Sequence, residues 1–159
     1  MTWNVDVQFK RSSIHGTGVY ANQLIPAGTK VWTFDKSMNV CECDDLSALS
    51  IEKLQFALHG GYFHQPSGKF IWYEDGMQYV NHADTPSANI GIREWTALQD
   101  DNCTALRDIA PGEELLEDYS FWSIFSLDQD HWLRLIYEEF CPGHYAFLQD
   151  LHFQTRKAA

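Results

Sequence analysis

Basic residues are scarce: 11 Lys and Arg stand against 22 Asp and Glu, a formal net charge of −11 at pH 7. So acidic a chain is a poor tracker of phosphates, which argues against direct nucleic-acid binding. The same charge keeps a chain soluble and favours encounter with lysine- and arginine-rich partners. Long apolar runs are missing too. No stretch approaches the roughly 20 residues needed to cross a bilayer, so no membrane partner is expected. The opening MTWNVDVQFK lacks the basic flank and apolar run of a secretory signal, and an intracellular protein, cytoplasmic or nuclear, is expected. Four cysteines, Cys41, Cys43, Cys103 and Cys141, make no disulfide framework. Cys41-Glu42-Cys43 is too tightly spaced for a zinc knuckle, so free thiols and no metal site are expected. Repeats, low-complexity tracts and linkers are absent, which points to one domain over 1–159.

What is present is enough to build a core, with 45% hydrophobic and 14% aromatic residues. Trp3, Val5, Val7 and Phe9 alternate with polar residues, which predicts a strand with one buried face. Strands are also predicted at Lys30–Phe34 after the Ile25-Pro26-Ala27-Gly28 turn, at Lys69–Tyr73 and at Met77–Val80. Asp35 to Asp45 reads as loop. Ser50 predicts a capped helix with Ile51, Leu54 and Leu58 on one face, stopped by Gly60. Gly91–Leu98 and Cys103–Arg107 read as a hairpin. Ser126 with Gln129 three residues on predicts a capping box, and Trp132, Leu135, Ile136 and Phe140 supply that helix's apolar face. Cys141-Pro142-Gly143 ends it. A second short helix fits His144 to Phe153, with fraying from Gln154 onward.

Three stretches carry candidate chemistry. In His15-Gly16-Thr17-Gly18, two glycines one residue apart permit positive φ or close approach of backbone to a ligand. No long helix follows, so a dinucleotide-binding reading fails its context. Asn81-His82 before Asp84-Thr85-Pro86 offers an amide and an imidazole, donors and acceptors in planar geometry suited to a polar small molecule. Gly112-Glu113-Glu114-Leu115 leads into Asp118-Tyr119. Each alone also fits an ordinary hairpin, a satisfied loop or a core tyrosine.

In that order the three stretches resemble the SET-domain family of protein lysine methyltransferases, over about Val7 to Trp122. IPAGTKVWTF is similar to the family's second strand segment. The resemblance implies a mainly β SET-domain (β-clip) fold with short helices, in which Leu115 to Tyr119 threads under an earlier loop as a pseudoknot. A C-terminal helical segment, about 126–153, would follow. It implies S-adenosyl-L-methionine as cofactor, flanked by the backbone of His15, Gly16 and Thr17. Asn81 would hold its amino-acid end, and His82 with its neighbours the adenine. Tyr119 would be catalytic and stand beside the reacting centre. A basic protein or peptide containing lysine is the implied substrate.

Methyl transfer from a sulfonium needs the nucleophile close and collinear. A lysine amine, with a pKa of about 10.4, must also lose its proton, which a desolvating channel beside a positive charge promotes. Tyr73, Tyr79 and Phe121 are candidates for that channel. The chain departs from the family pattern in three places. Ser87-Ala88 intervene between Pro86 and Asn89, lengthening that turn. The zinc-binding cysteine tail is missing, so Phe121, Trp122, Phe125 and the segment from Ser126 are expected to form the lid, with Trp122 against the adenine. Glu117 stands where many members carry an apolar side chain; it either pairs with a cationic substrate or points to solvent. A SET-like module that binds basic peptides without transferring methyl groups is the second reading.

Overall fold

The computed structural model describes residues 2–36 and 38–158. Ser37, within the stretch read as loop, lies outside them. Strands are short and helices few before residue 130, so the chain is mainly β with helices gathered at its C-terminal end. It divides into two units, each assembled from two separate stretches: 1–38 with 73–118, and 39–72 with 119–159.

In the first unit, β1 (Val7–Arg11) and β2 (Thr17–Ala21) form an antiparallel hairpin. The alternation around Trp3 does not bury a face as expected: β1 is largely exposed, and Trp3 makes only an isolated bridge to Trp32. A five-stranded sheet follows, in the order β3 (Lys30–Thr33), β9 (Asn102–Ala105), β8 (Ile90–Gly91), β10 (Leu116–Glu117), β7 (Asn81–His82). Strand β10 is parallel to both β7 and β8, lying between the two strands that the 83–89 loop connects. That insertion is the expected pseudoknot. The segment entering it is tied to β2 by Leu115 N–H to Val19 O at 2.7 Å and Ala21 N–H to Glu113 O at 2.9 Å. Val19, Ala21, Ile25, Val31, Ile90, Ala105, Ile109 and Leu115 are wholly buried in this unit.

Met77–Tyr79 is a 3₁₀ turn, not the strand predicted there, and Gly76 before it has φ 101°. A Cβ at Gly76 would lie 2.3 Å from the Phe9 ring, so glycine is needed for both conformation and space. The turn shifts the strand onto Asn81-His82, placing the amide and imidazole within the sheet itself. The predicted hairpin pairs only at its end far from the turn, Gly91 with Thr104 and Ile90 with Ala105 of β8 and β9; Leu98–Asp100 is a 3₁₀ turn.

In the second unit, β4 (Asn39–Cys41), β6 (Lys69–Trp72) and β5 (Gly61–His64) form an antiparallel sheet in that order. With α1 (Cys43–Ser47), β4 occupies the stretch expected to be loop; the Asp45 carboxylate accepts the Glu42 N–H at 2.8 Å to start the helix. Helix α2 (Ile51–Gly60) begins at Ser50 as expected, but buries Leu54, Ala57 and Leu58 and leaves Ile51 exposed. Its last residue is Gly60, with Gly61 as C-cap.

The C-terminal helices start later than the Ser126 reading has it. Helix α3 (Trp132–Phe140) is capped by His131, whose Nδ1 accepts the Leu133 N–H at 3.2 Å. Ser126 ends a 3₁₀ turn, its hydroxyl donating to Ser123 O at 2.8 Å and accepting from Gln65 at 3.0 Å. Helix α3 buries Leu133 and Tyr137, one turn apart, whereas Leu135 is 51% exposed. Helix α4 (Pro142–Ala158) runs beyond the predicted end at Phe153. Leu133, Tyr137 and Cys141 share one core with Leu46, Leu58, Phe63, Phe70 and Trp72. Tyr137 donates its hydroxyl to Leu58 O at 2.6 Å. These helices are thus part of the second unit's core. No helix among the described residues is long and apolar enough to cross a membrane.

Candidate functional site

The three sequence stretches meet at one side chain of the first unit. Asn81 is 8% exposed on β7. Its Nδ2 donates to His15 O at 3.0 Å and to Glu114 Oε1 at 2.9 Å, and lies 3.4 Å from Thr17 O. Two carbonyls and a carboxylate around one amide end admit only the nitrogen there, which fixes the orientation of the group. Glu114 turns its other oxygen to Ser12 Oγ at 3.0 Å and Tyr20 Oη at 2.9 Å, both donating to it. Tyr20 is raised above its ordinary pKa by burial and then by this carboxylate.

The glycines follow from this network. Gly16 has φ 50°, the left-handed region that glycine tolerates. Gly18 needs glycine for a different reason: a Cβ there would lie 2.2 Å from Glu114 Oε1. So the second glycine of one stretch makes room for the second glutamate of another, 96 positions later. Beside the network lies an open cavity of about 790 Å³, lined by residues 9–17 and Tyr79. Within an acidic chain, that lining carries Lys10, Arg11 and His15 and no carboxylate. Its size falls in the range of about 300–1,000 Å³ usual for small-molecule sites.

Asn89 was not among the candidates, yet it holds the knot. It is 1% exposed; its Oδ1 accepts the Leu116 N–H at 2.8 Å and its Nδ2 donates to Glu114 O at 2.7 Å and Glu113 Oε1 at 3.2 Å. The two residues lengthening the loop before it are absorbed in a turn, with Ser87 and Ala88 N–H both donating to Asp84 O. Glu113 is held below the usual carboxylate range, chiefly by the Arg107 guanidinium at 2.5 Å. Asp118 accepts the Thr85 N–H and hydroxyl at 3.1 and 2.7 Å, tying the end of the knot to the loop above it.

The remaining candidates fall in different places. His82 sits half-buried, its Nε2 3.1 Å from Asp84 Oδ1. Tyr73 is buried edge-on against Trp32 with ring centroids 5.4 Å apart, and Tyr79 is 41% exposed, edge-on to Phe9 on the cavity wall. Glu117 does not point to solvent, one of the two options its sequence left open. It is 8% exposed, with Oε1 3.9 Å from the Cys103 thiol, which burial first and then Glu117 and Asp101 push well above its ordinary pKa. Tyr119, Phe121 and Trp122 belong to the second unit, in a 3₁₀ turn, with Trp122 edge-on to Tyr62 at 4.7 Å and to Phe121 at 5.3 Å. The four cysteines are free thiols, and no group of three or more His, Cys, Asp or Glu among the described residues could hold a metal ion.

The SET domain family profile matches residues 16–120, from the glycine stretch to the residue after Tyr119. The chain belongs to the SET-domain family. No curated protein sequence matches it significantly. Among solved structures it is similar to apo ctPRC2 with mutations in Ezh2, at 21% identity and a TM-score of 0.56, covering 72% of this chain and 15% of that one. It is also similar to Chaetomium thermophilum Polycomb Repressive Complex 2 bound to GSK126, at 22% identity, a TM-score of 0.55 and coverage of 72% and 16%. ctPRC2 in an autoinhibited conformation bound to S-adenosylmethionine matches at 22% and 0.54, over 72% and 15%. Identities this low establish the shared fold, and the SET chain spans under a fifth of the length of these chains.

Proposed function

We propose that this SET-domain protein is an S-adenosylmethionine-dependent methyltransferase acting on the lysine ε-amine of a protein substrate. The observation that supports it most is the convergence on Asn81: its amide nitrogen is committed to His15, Thr17 and Glu114, so the three sequence stretches meet at one side chain. The donor set fits the cofactor, since a cavity that carries Lys10, Arg11 and His15 and no carboxylate suits the carboxylate-bearing amino-acid tail of a nucleoside. When bound, that cofactor supplies an electrophilic methyl on a sulfonium. Asn81 and the backbone of His15, Gly16 and Thr17 would hold its amino-acid end, His82 its adenine, and Trp122 would pack against the ring. Tyr119 would orient the amine by hydrogen bonding, with Tyr73, Tyr79 and Phe121 excluding water from the lysine. Glu117, a buried carboxylate two residues before Tyr119, would attract a cationic side chain at the cost of favouring its protonated form. The acidic chain suits a basic protein or peptide, reached in the cytoplasm or nucleus.

The test is radiolabelled methyl transfer to histone tails and to a lysine-rich lysate, comparing the wild type with Tyr119→Phe. The substitution keeps the ring and removes only the hydroxyl. A positioning role in the transition state predicts a fall of about two decades or more in kcat, roughly 2.7 kcal/mol of barrier, with little change in cofactor affinity. Equal turnover would refute the role of Tyr119. Cofactor binding by the wild type without turnover on any lysine substrate would favour a binding module for basic peptides.

A further inference from the structure

We propose that the outer edge of β1 is a homodimer interface, on which β1 of a second copy of this chain pairs antiparallel about a two-fold axis at Gln8. This goes beyond the methyl-transfer reading and does not depend on it. The hairpin ladder shows which backbone groups are spare. Asn22 N–H donates to Asp6 O at 3.0 Å and Ser12 N–H to Gly16 O at 2.9 Å, so every second pair from Asp6 to Ser12 is the hydrogen-bonded kind. Val7 and Phe9 lie between these pairs and turn both N–H and C=O away from β2. Their opposite numbers on β2, Ala21 and Val19, are taken on the far side by the segment entering the knot. Gly112 N–H donates to Ala21 O and Leu115 N–H to Val19 O, both at 2.7 Å. On the β1 side the sheet ends, and among the described residues nothing bonds the outward N–H and C=O of Val7 or Phe9. Such an edge is a template for another strand.

The strand is its own complement. Asp6-Val7-Gln8-Phe9-Lys10 keeps its pattern when reversed, with opposite charges at the ends, apolar residues next and an amide in the middle. With two copies antiparallel and Gln8 opposite Gln8, Val7 falls opposite Phe9 and the two exchange their spare N–H and C=O groups, twice over by symmetry. Asp6 falls opposite Lys10, also twice. Opposite charges, and an aromatic facing a β-branched residue, are favourable cross-strand pairs. Asp6, Gln8, Phe9 and Lys10 are all exposed. Asp6 is the sole carboxylate in residues 1–17, so two chains of net charge −11 meet here without bringing acid to acid. One such edge per chain closes the assembly at two copies.

Sedimentation velocity from micromolar to millimolar protein tests this on the wild type, Val7→Pro, Asp6→Lys, Lys10→Asp and the double variant that combines the two charge reversals. The wild type is expected to pass from monomer to dimer and no further. Each single reversal sets like charges opposite each other at both ends of the pairing and should weaken the dimer by about tenfold. The double variant restores opposite signs and should recover most of the loss. Val7→Pro removes an N–H that the monomer does not use, so the circular dichroism of the fold should persist while pairing is lost. Should Val7→Pro fail to fold, the charge series decides alone. A wild type that stays monomeric throughout, leaving the edge to a strand of some other chain, would overturn the proposal. So would association beyond two copies, a folded Val7→Pro that still dimerises, or a double variant as weak as the single ones.

Discussion

Replacing Asn89 with alanine should destabilise the first unit by an amount that can be worked from its contacts. The side chain bridges the two sides of the knot, accepting from Leu116 N–H at 2.8 Å and donating to Glu114 O at 2.7 Å and Glu113 Oε1 at 3.2 Å. At 1% exposure, water has no ready access to the groups it leaves. A buried donor or acceptor stripped of its partner costs about 1–3 kcal/mol. Two such backbone groups, Leu116 N–H and Glu114 C=O, give about 2–6 kcal/mol, with the Glu113 contact a smaller addition. That is a large share of the roughly 5–15 kcal/mol that stabilises a typical domain. The assay is urea unfolding followed by circular dichroism, with stability taken from the midpoint at constant slope. Asn89→Asp keeps the acceptor for Leu116 but loses both donors and sets a carboxylate beside Glu113, so it should be no milder at pH 7. A loss below about 0.5 kcal/mol in Asn89→Ala, the scale of ordinary surface changes, would refute the argument that this side chain holds the knot.

Asn81→Ala should weaken S-adenosylmethionine by about one to two decades, the cost of a hydrogen bond to a charged group, and calorimetric titration showing wild-type affinity would remove it from the site. Acidification should destabilise the second unit through His144, which burial and then the His59 ring 4.6 Å away depress to about 4. The unfolded chain takes up that proton from about pH 6.5 downward and the folded chain only near 4, so stability is full above 6.5 and falls between them by up to about 3 kcal/mol. Urea midpoints between pH 7 and 4.5 should therefore decline less steeply in His144→Asn than in the wild type, and identical slopes would rule out this histidine as the cause.

Much of the site was legible in the sequence because its motifs are local strings whose residue types have few other uses. The glycine pair, Asn81-His82, the Pro-Gly turn before Glu113 and Glu114, and the Ser50 cap are each readable over a handful of neighbours. So were β3 and β6, long enough to show a pattern. The two-residue strands β7, β8 and β10 are too short to carry any period, and their pairing is parallel and non-local. Nothing between residues 77 and 80 distinguishes a strand from the 3₁₀ turn that moves Asn81 into the sheet; the Gly76 contact with Phe9, 67 positions away, decides it. His131 rather than Ser126 caps α3 because the Ser126 hydroxyl is bonded to Ser123 and Gln65. The sequence by itself determined which residues carry polar chemistry and their order along the chain. Only the tertiary structure decided that Glu114 reaches Asn81, that Gly18 must be bare to let it, and that Asn89 closes the knot. Each is a contact across 24 to 96 positions, set by how strands thread past one another and invisible to any local pattern.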